Sequence, residues 1–161
     1  SEEIRHIVND LISCARKHHY RVILTLDEEL IPANIKGEDI YFATEIPHAW
    51  LFPQTSVIIH HGGAGTTGAA IMAGIPSIAI PFSADQFFWA DRLDQLHVGP
   101  HSISASKVSP GTVDTVFAEL KTGKDFYNRA SQLGVLVRNE RGLDNAVRSV
   151  QKIIEGEEVL V

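Results

Sequence analysis

The sequence predicts an α/β fold in which a parallel sheet carries helices on both faces. Short apolar runs such as YRVILTL alternate along the chain with stretches whose apolar residues recur at helical spacing. The chain has 161 residues, 44% of them hydrophobic, which suits one domain with a substantial core. We therefore predict one domain over residues 1–155 and a C-terminal tail over residues 156–161.

The N-terminal part is predicted to contain one helix and two strands. Residues 1–18 show apolar positions at helical spacing and acidic residues in the first turn, which favour a helix start. Residues 20–26 form a β-branched apolar run that predicts a buried strand, and residues 40–42 predict a second, shorter one. Between them, residues 27–37 are polar and contain Pro32, which predicts a loop or a broken helix.

The rest of the chain alternates between strands and helices. Apolar runs predict strands over residues 57–60 and 77–80, and the connection over residues 98–106 is irregular, with room for a short strand. Ser109 and Pro110 are typical of a helix entrance. Helical segments are predicted over residues 49–54 (one turn), 65–73, 84–96, 109–120, 125–138 and 143–155.

Composition excludes several classes of protein. The formal net charge is -6 and the basic residues are scattered, so binding to nucleic acid is not expected. Cys14 is the single cysteine; it cannot form an internal disulfide, and its apolar helical surroundings predict a core position. No apolar run reaches membrane-spanning length, and residues 1–10 do not resemble a signal peptide. A cytoplasmic location is expected.

A glycine-rich turn, HHGGAGTT, follows the third predicted strand at residues 60–67. Glycines let the backbone approach an anion, and the start of the following helix offers unpaired amide groups. His61 at the strand end and two threonine hydroxyls add further donors. We favour phosphate binding over a turn that needs glycine for packing alone. No Walker lysine follows, and no acidic residue ends the next strand as in a dinucleotide site.

The histidine pair before the turn and an Asp-Gln pair after the fourth strand lie close to the glycine-rich turn in the predicted fold. Adjacent histidines in a strand point to opposite faces, so His60 and His61 are poorly placed to share a metal, and His60 is predicted to hydrogen-bond within the sheet. Asp85 and Gln86 follow the fourth strand, on the same rim as the turn. They suit either contact with sugar hydroxyls, which we favour, or an N-cap by Asp85.

These residues resemble a known family. The stretch VIIHHGGAGTTGAAIMAGIPSIAIPFSADQFFWADRL is similar to the C-terminal, donor-binding half of GT-B fold glycosyltransferases that use UDP-sugars. Sterol glucosyltransferases and bacterial natural-product glycosyltransferases are the members it resembles most. The segments IPHAWLFPQTS, LHVGPHSISASKVSP and RASQLGVLVRNERGLDNAVRSVQKII extend the resemblance over nearly the whole chain. The resemblance implies a Rossmann-like sheet and inverting, metal-independent transfer of a hexose, best guessed as glucose, to a hydroxyl of a sterol-like acceptor.

The resemblance also implies roles for individual residues. Asp85 and Gln86 would hold the hydroxyls of the donor sugar, and His48 would lie near the uracil. For Trp50, core packing is favoured over stacking on the base. Where plant relatives carry a ribose-binding glutamate, this chain has Ala69. The diphosphate would be bound by His61, Gly63, Ala64, Gly65, Thr66 and Thr67.

In the family, the acceptor site and the catalytic base belong to an N-terminal half, so no catalytic residue is expected in these 161 residues. The implied partners are a UDP-sugar donor and an N-terminal acceptor-binding domain or chain, with any membrane contact made only through that half. No cofactor is expected beyond the donor substrate. The family's first strand is also missing, which predicts exposed apolar sheet edges. The alternative is a non-catalytic nucleotide-sugar-binding or partner subunit.

Overall fold

The computed structural model describes residues 2–43 and 45–155. Ser1, Thr44 and residues 156–161, which include the predicted tail, lie outside the described residues. The helices are α1 (Glu2–Lys17), α2 (His48–Leu51), α3 (Ala64–Ala73), α4 (Gln86–Leu96), α5 (Pro110–Thr122), α6 (Lys124–Asn139) and α7 (Gly142–Glu155). The strands are β1 (Val22–Leu24), β2 (Ile40–Phe42), β3 (Ile58–His60) and β4 (Ser77–Ala79). Short 3-10 turns cover Glu28–Leu30, Phe52–Gln54 and Ala105–Lys107.

The strands pair in parallel, as predicted, but in two separate pairs. β1 pairs with β2, placing Ile23 opposite Tyr41, and β3 pairs with β4, placing Ile59 opposite Ile78. Each pair is a two-stranded sheet of its own. Residues 20–26 were predicted as a strand, and only the centre of that run, β1, takes part in pairing.

Helices cover both faces of the β3–β4 pair because successive side chains of β3 point in opposite directions. Ile58 packs with Leu51 of α2 and Ala70 of α3. Ile59 packs on the other side, in a cluster that contains Val113 and Phe117 of α5. The predicted α/β architecture with helices on both faces is confirmed.

Helix α1 packs against both strand pairs. Val8 and Ile12 form a cluster with Ile40 of β2, whereas Ile7 packs with Ile80 next to β4. At the C-terminal end of α1, the carboxylate of Asp114 on α5 accepts from Lys17 and from His18 at 2.7 Å. The same helix thus joins the two half-sheets. Cys14 is buried, as expected.

The C-terminal part follows the predicted helices closely. Ser109 caps α5: its Oγ accepts from the Thr112 amide while the Thr112 hydroxyl accepts from the Ser109 amide. Residues 98–106 include a 3-10 turn and, among the described residues, no strand. The amide of Ile103 nevertheless donates to the carbonyl of Ala79 at 3.0 Å, so this segment still lies along β4. None of the described helices combines the length and the apolar character needed to span a membrane.

Candidate phosphate-binding site at the start of α3

The first turn of α3 presents free backbone amides. The first bond within the helix runs from the Thr67 amide to the Gly63 carbonyl at 2.9 Å. The amides of Ala64, Gly65 and Thr66 precede that bond and have no acceptor within the helix. Among the described residues, no side chain caps this end. Because the helix dipole is positive here, the turn favours an anion.

His61 lies beside this turn. Its side chain is exposed, and a Cβ added at Gly63 would come within 2.5 Å of His61 Nε2. The imidazole therefore covers the backbone of Gly63, and any larger residue there would displace it. A ring nitrogen of His61 therefore lies beside the backbone of Gly63, directly before α3.

Gly62 joins the glycine turn to the loop before α4. It has φ +87°, a left-handed conformation that favours glycine, and a Cβ there would be 2.9 Å from the carbonyl oxygen of Gln86. The turn and the start of α4 are thus in direct backbone contact. Sequence reasoning did not single out Gly62, although the first glycine directly after a strand is a typical place for such a conformation.

Two glycine substitutions are expected to act in opposite directions. Gly62→Ala should lower the free energy of unfolding by about 1–3 kcal/mol, because it combines a positive φ with a close backbone contact. Gly65→Ala is the matched control, since a Cβ there meets no atom within 4 Å and alanine favours the helix. Urea unfolding of both variants measures the difference. Equal destabilisation would contradict the assigned contact.

The side chain of Gln86 is held by backbone hydrogen bonds, whereas the side chain of Asp85 makes no cap bond. The Gln86 side-chain carbonyl accepts from the amides of Phe82 at 2.8 Å and Ser83 at 3.2 Å, which leaves its NH₂ group to donate. Asp85 is exposed, has helical dihedral angles and makes no side-chain cap bond. Asp85 therefore occupies the N-cap position of a helix that starts at Gln86, as the alternative predicted, but its carboxylate makes no cap bond.

One cavity of about 1200 Å³ brings several predicted site residues together. His48, His61, Thr66 and Gln86 all line it, whereas Asp85 stands just outside that lining. The ring of His48 stacks on Phe52, with centroids 4.4 Å apart, which fixes its position at the start of α2. The N-terminal ends of α2, α3 and α4 therefore converge on one space.

Two residues lie where the sequence did not lead us to expect them. Trp50 is 60% exposed, so the favoured prediction of core packing is wrong. Thr67, named among the diphosphate-binding residues, is only 1% exposed, and its Oγ1 has no hydrogen-bond partner among the described residues. Both differences arise from the helical phase, which sets Trp50 outward on α2 and Thr67 inward on α3.

His60 is held as a neutral ring beneath the site. Its Nδ1 accepts from the Gly62 amide at 3.0 Å, so the proton of the neutral ring is on Nε2. The side chain is 8% exposed, and burial, with the nearby His61 and His48, lowers the pKa of His60 to about 4. His60 is thus hydrogen-bonded, but its partner lies in the glycine-rich turn and not in the sheet, where the bond was predicted. Its Nε2 is buried and has no partner among the described residues.

The charge around the cavity suits an anion. Of the described residues that line it, none is Asp or Glu, although the chain has a net charge of -6. Arg21, His48 and His61 are among the lining residues. Within the described ranges there is no group of three or more His, Cys, Asp or Glu residues that could hold a metal ion.

Comparison with known proteins places this arrangement in a family. Residues 11–150 match the family described as erythromycin biosynthesis protein CIII-like, C-terminal domain. The sterol 3-beta-glucosyltransferase of Gibberella zeae is 38% identical over 129 residues, which cover 80% of this chain and 8% of that protein. The chain thus spans less than a tenth of the length of this curated relative.

Solved structures share the fold. The spinosyn forosaminyltransferase SpnP superposes with a TM-score of 0.82 at 21% identity, over 94% of this chain and 39% of that one. The glycosyltransferase VinC, solved in complex with DTDP, superposes with a TM-score of 0.75 at 19% identity, over 94% and 40% of the two chains. The chain therefore belongs to the family of erythromycin biosynthesis protein CIII-like C-terminal domains, and its fold is that of the C-terminal domains of GT-B glycosyltransferases.

Proposed function

We propose that this chain is the donor-binding half of a glycosyltransferase that takes a UDP-sugar and transfers a hexose to a hydroxyl of a sterol-like acceptor. The observation that carries the proposal is the uncapped first turn of α3 with His61 beside it. The free amides of Ala64, Gly65 and Thr66 would bind the diphosphate. The matched sterol glucosyltransferase and the DTDP complex of VinC support this class of donor.

The sugar and the base would occupy the two sides of the diphosphate. Gln86 offers its NH₂ group and the neighbouring Asp85 a free carboxylate, a pairing suited to sugar hydroxyls. His48 lines the cavity from α2, where its ring would lie near the uracil. Trp50 on the exposed side of the same helix is a further candidate for the base. Glucose as the sugar rests on the matched relatives alone.

In the proposed reaction, the acceptor oxygen forms a bond to the anomeric carbon while the bond from that carbon to the phosphate oxygen breaks. The acceptor proton passes to a base in the N-terminal half, and the configuration at carbon inverts. The negative charge that develops on UDP would be stabilised here by the α3 amides and His61. No cofactor enters this scheme. The single thiol, Cys14, is buried and unpaired, which favours a reducing compartment such as the cytoplasm.

His61→Ala tests the proposal. Loss of a hydrogen bond to a charged group is worth about 1.5–3 kcal/mol, so UDP affinity is expected to fall about 10- to 150-fold. Calorimetric titration with UDP, UDP-glucose and dTDP measures the loss and the base preference. His6→Ala, an exposed histidine on α1, is the matched control and should bind like the wild type. Unchanged affinity in His61→Ala would refute the proposed diphosphate site.

A turnover assay separates an enzyme half from a non-catalytic subunit. The chain is mixed with a supplied N-terminal glycosyltransferase half, UDP-glucose and a sterol. Sterol glucoside formation that depends on both halves supports the enzyme. Binding of UDP-glucose without turnover under these conditions supports the alternative of a nucleotide-sugar-binding partner subunit.

A further inference from the structure

Helix α3 carries the candidate phosphate-binding turn, yet its own side chains are short. Eight of its ten residues are Ala, Gly or Thr, which offer little surface for interlocking with a neighbour. The inner face packs on the sheet, where Ala70 is fully buried in a cluster with Ile58 of β3. On the outer side, a Cβ added at Gly68 would meet no atom within 4 Å, and Met72 is 51% exposed. Packing on the sheet thus leaves the outer side of α3 to be fixed by another element.

Helix α6 approaches the C-terminal end of α3 at backbone contact distance. A Cβ added at Gly134 of α6 would lie 2.8 Å from Gly74 Cα and 2.8 Å from the Ile71 carbonyl oxygen. Gly74 ends α3 in a left-handed conformation, with φ +72°, and a Cβ there would lie 3.3 Å from Ser131 Cα. No side chain fits between two backbones at this separation. Helix α6 therefore holds this end of α3 closely.

Arg138 adds a hydrogen bond and a positive charge at the same end. It lies one turn after Gly134 on α6, and its Nη1 would be 3.0 Å from a Cβ at Gly134, so the guanidinium group lies against that glycine. Nη1 donates to the carbonyl of Met72. Carbonyls in the last turn of a helix lack a donor within the helix, and the negative end of the helix dipole attracts a cation. Arg138 supplies both at the C-terminal end of α3.

The two ends of α3 differ in their partners. The C-terminal end contacts Gly134 and Arg138 of α6, whereas the N-terminal end has no side-chain cap among the described residues. At the usual rise per residue, Met72 lies about 12 Å along the helix axis from Ala64. At this distance Arg138 does not contact a ligand held by the first-turn amides. Any effect of Arg138 on such a ligand has to pass through the helix.

We propose that Arg138 is a positioning residue for the diphosphate site and acts through α3. Its bond to the Met72 carbonyl, together with the close contact at Gly134, sets the orientation of α3 on the β3–β4 pair. Because a short helix is rigid, a rotation at its C-terminal end displaces the amides of its first turn. The role of Arg138 in ligand binding rests on the proposed function of those amides, whereas its effect on the orientation of α3 does not.

The first test measures the orientation of α3 without a ligand, so its result does not depend on donor binding. Residual dipolar couplings of the α3 amides, referenced to those of β3 and β4, are compared between the wild type and Arg138→Gln. We expect the couplings to change along the whole helix, because loss of the bond lets α3 rotate on the sheet. A change confined to residues 72–74 would overturn the proposal, since the bond would then have only a local effect.

Arg129→Gln is the matched control for this measurement. Arg129 lies on the same helix, and its guanidinium is 3.9 Å from the Asp125 carboxylate. The couplings along α3 should therefore equal those of the wild type in this variant. An equal change in Arg129→Gln and Arg138→Gln would overturn the proposal, because it would assign the effect to the net charge of α6.

The second test is calorimetric titration of the same variants with UDP. Arg138→Gln should weaken binding about two- to fivefold, whereas Arg138→Lys, which keeps the charge and a donor, should retain most of the affinity. Arg129→Gln should bind like the wild type. Urea unfolding accompanies each titration. If Arg138→Gln is less stable but keeps the wild-type UDP affinity, Arg138 only stabilises the fold and the proposal is overturned.

A further variant keeps the test decisive if Arg138→Gln does not fold. Gly134→Ala places a Cβ against the backbone of Gly74, so it should push α3 and α6 apart and change the couplings along α3. Wild-type couplings in Gly134→Ala would overturn the proposal. If the wild-type chain does not bind UDP, the proposed function fails, while the couplings still decide whether α6 orients α3.

Discussion

Phe117→Ala is expected to lower the free energy of unfolding by about 3–5 kcal/mol. Phe117 is 2% exposed and is the largest of the fully buried side chains. Its ring lies 5.5 Å from the His18 ring and 5.4 Å from the Tyr20 ring, and thus joins α5 to the segment that leads from α1 into β1. Truncation would remove these contacts and leave a void in the cluster that backs β3 and β4.

The matched control is Phe87→Ala. Phe87 is 46% exposed on α4, so the same truncation there should change stability by less than about 1 kcal/mol. Urea unfolding followed by circular dichroism measures both. If Phe117→Ala were as stable as Phe87→Ala, the cluster in which Phe117 packs with residues of α1 would not be the main core.

His60→Asn is expected to remove a large part of the acid sensitivity of the fold. Because the folded-state pKa of His60 is lowered to about 4 from 6.5, the unfolded chain binds a proton over this range and the folded chain does not. Stability therefore falls as the pH drops from 6.5 to 4, by about 3 kcal/mol from this residue. The asparagine Oδ1 replaces Nδ1 as acceptor for the Gly62 amide and does not titrate.

The measurement is the free energy of unfolding at a series of pH values from 7 to 4, and the quantity compared is its slope against pH. Wild type and variant share the acid loss from Asp39 and Asp114, whose pKa values are lowered by Arg16 and by Lys17 and His18, so the difference isolates His60. His61→Asn keeps His60 but removes one of the charges that lower the pKa of His60, so it should reduce the slope by less than His60→Asn does. Parallel curves for wild type and His60→Asn would contradict a buried neutral His60.

The elements could be predicted because their causes are local. Helical spacing over α1, the glycine-rich turn before α3 and the Ser109 cap of α5 each depend on neighbours in the chain. The first-turn amides of α3 follow from the same local pattern. Because the glycine-rich turn directly follows a strand of a parallel sheet, its position was sufficient to place these amides at the C-terminal edge of the sheet.

What could not be predicted depends on contacts between distant segments. The side-chain carbonyl of Gln86 is engaged by Phe82 and Ser83 through a loop conformation that residue types alone do not specify. The exposure of Trp50 depends on which side of a single helical turn faces β3. The division of the sheet into two pairs depends on tertiary packing along α1.

The contact between Gly62 and the Gln86 carbonyl has a consequence for engineering. The contact fixes the start of α4 to the turn that would hold the diphosphate. A change in the backbone at Gly62 or at Gln86 would therefore move both the turn and the start of α4. Asp85, next to Gln86, carries an exposed side chain that does not cap α4. If Asp85 contacts the donor sugar as proposed, we expect substitutions at this position to change the preference among donor sugars without loss of a cap bond at the start of α4.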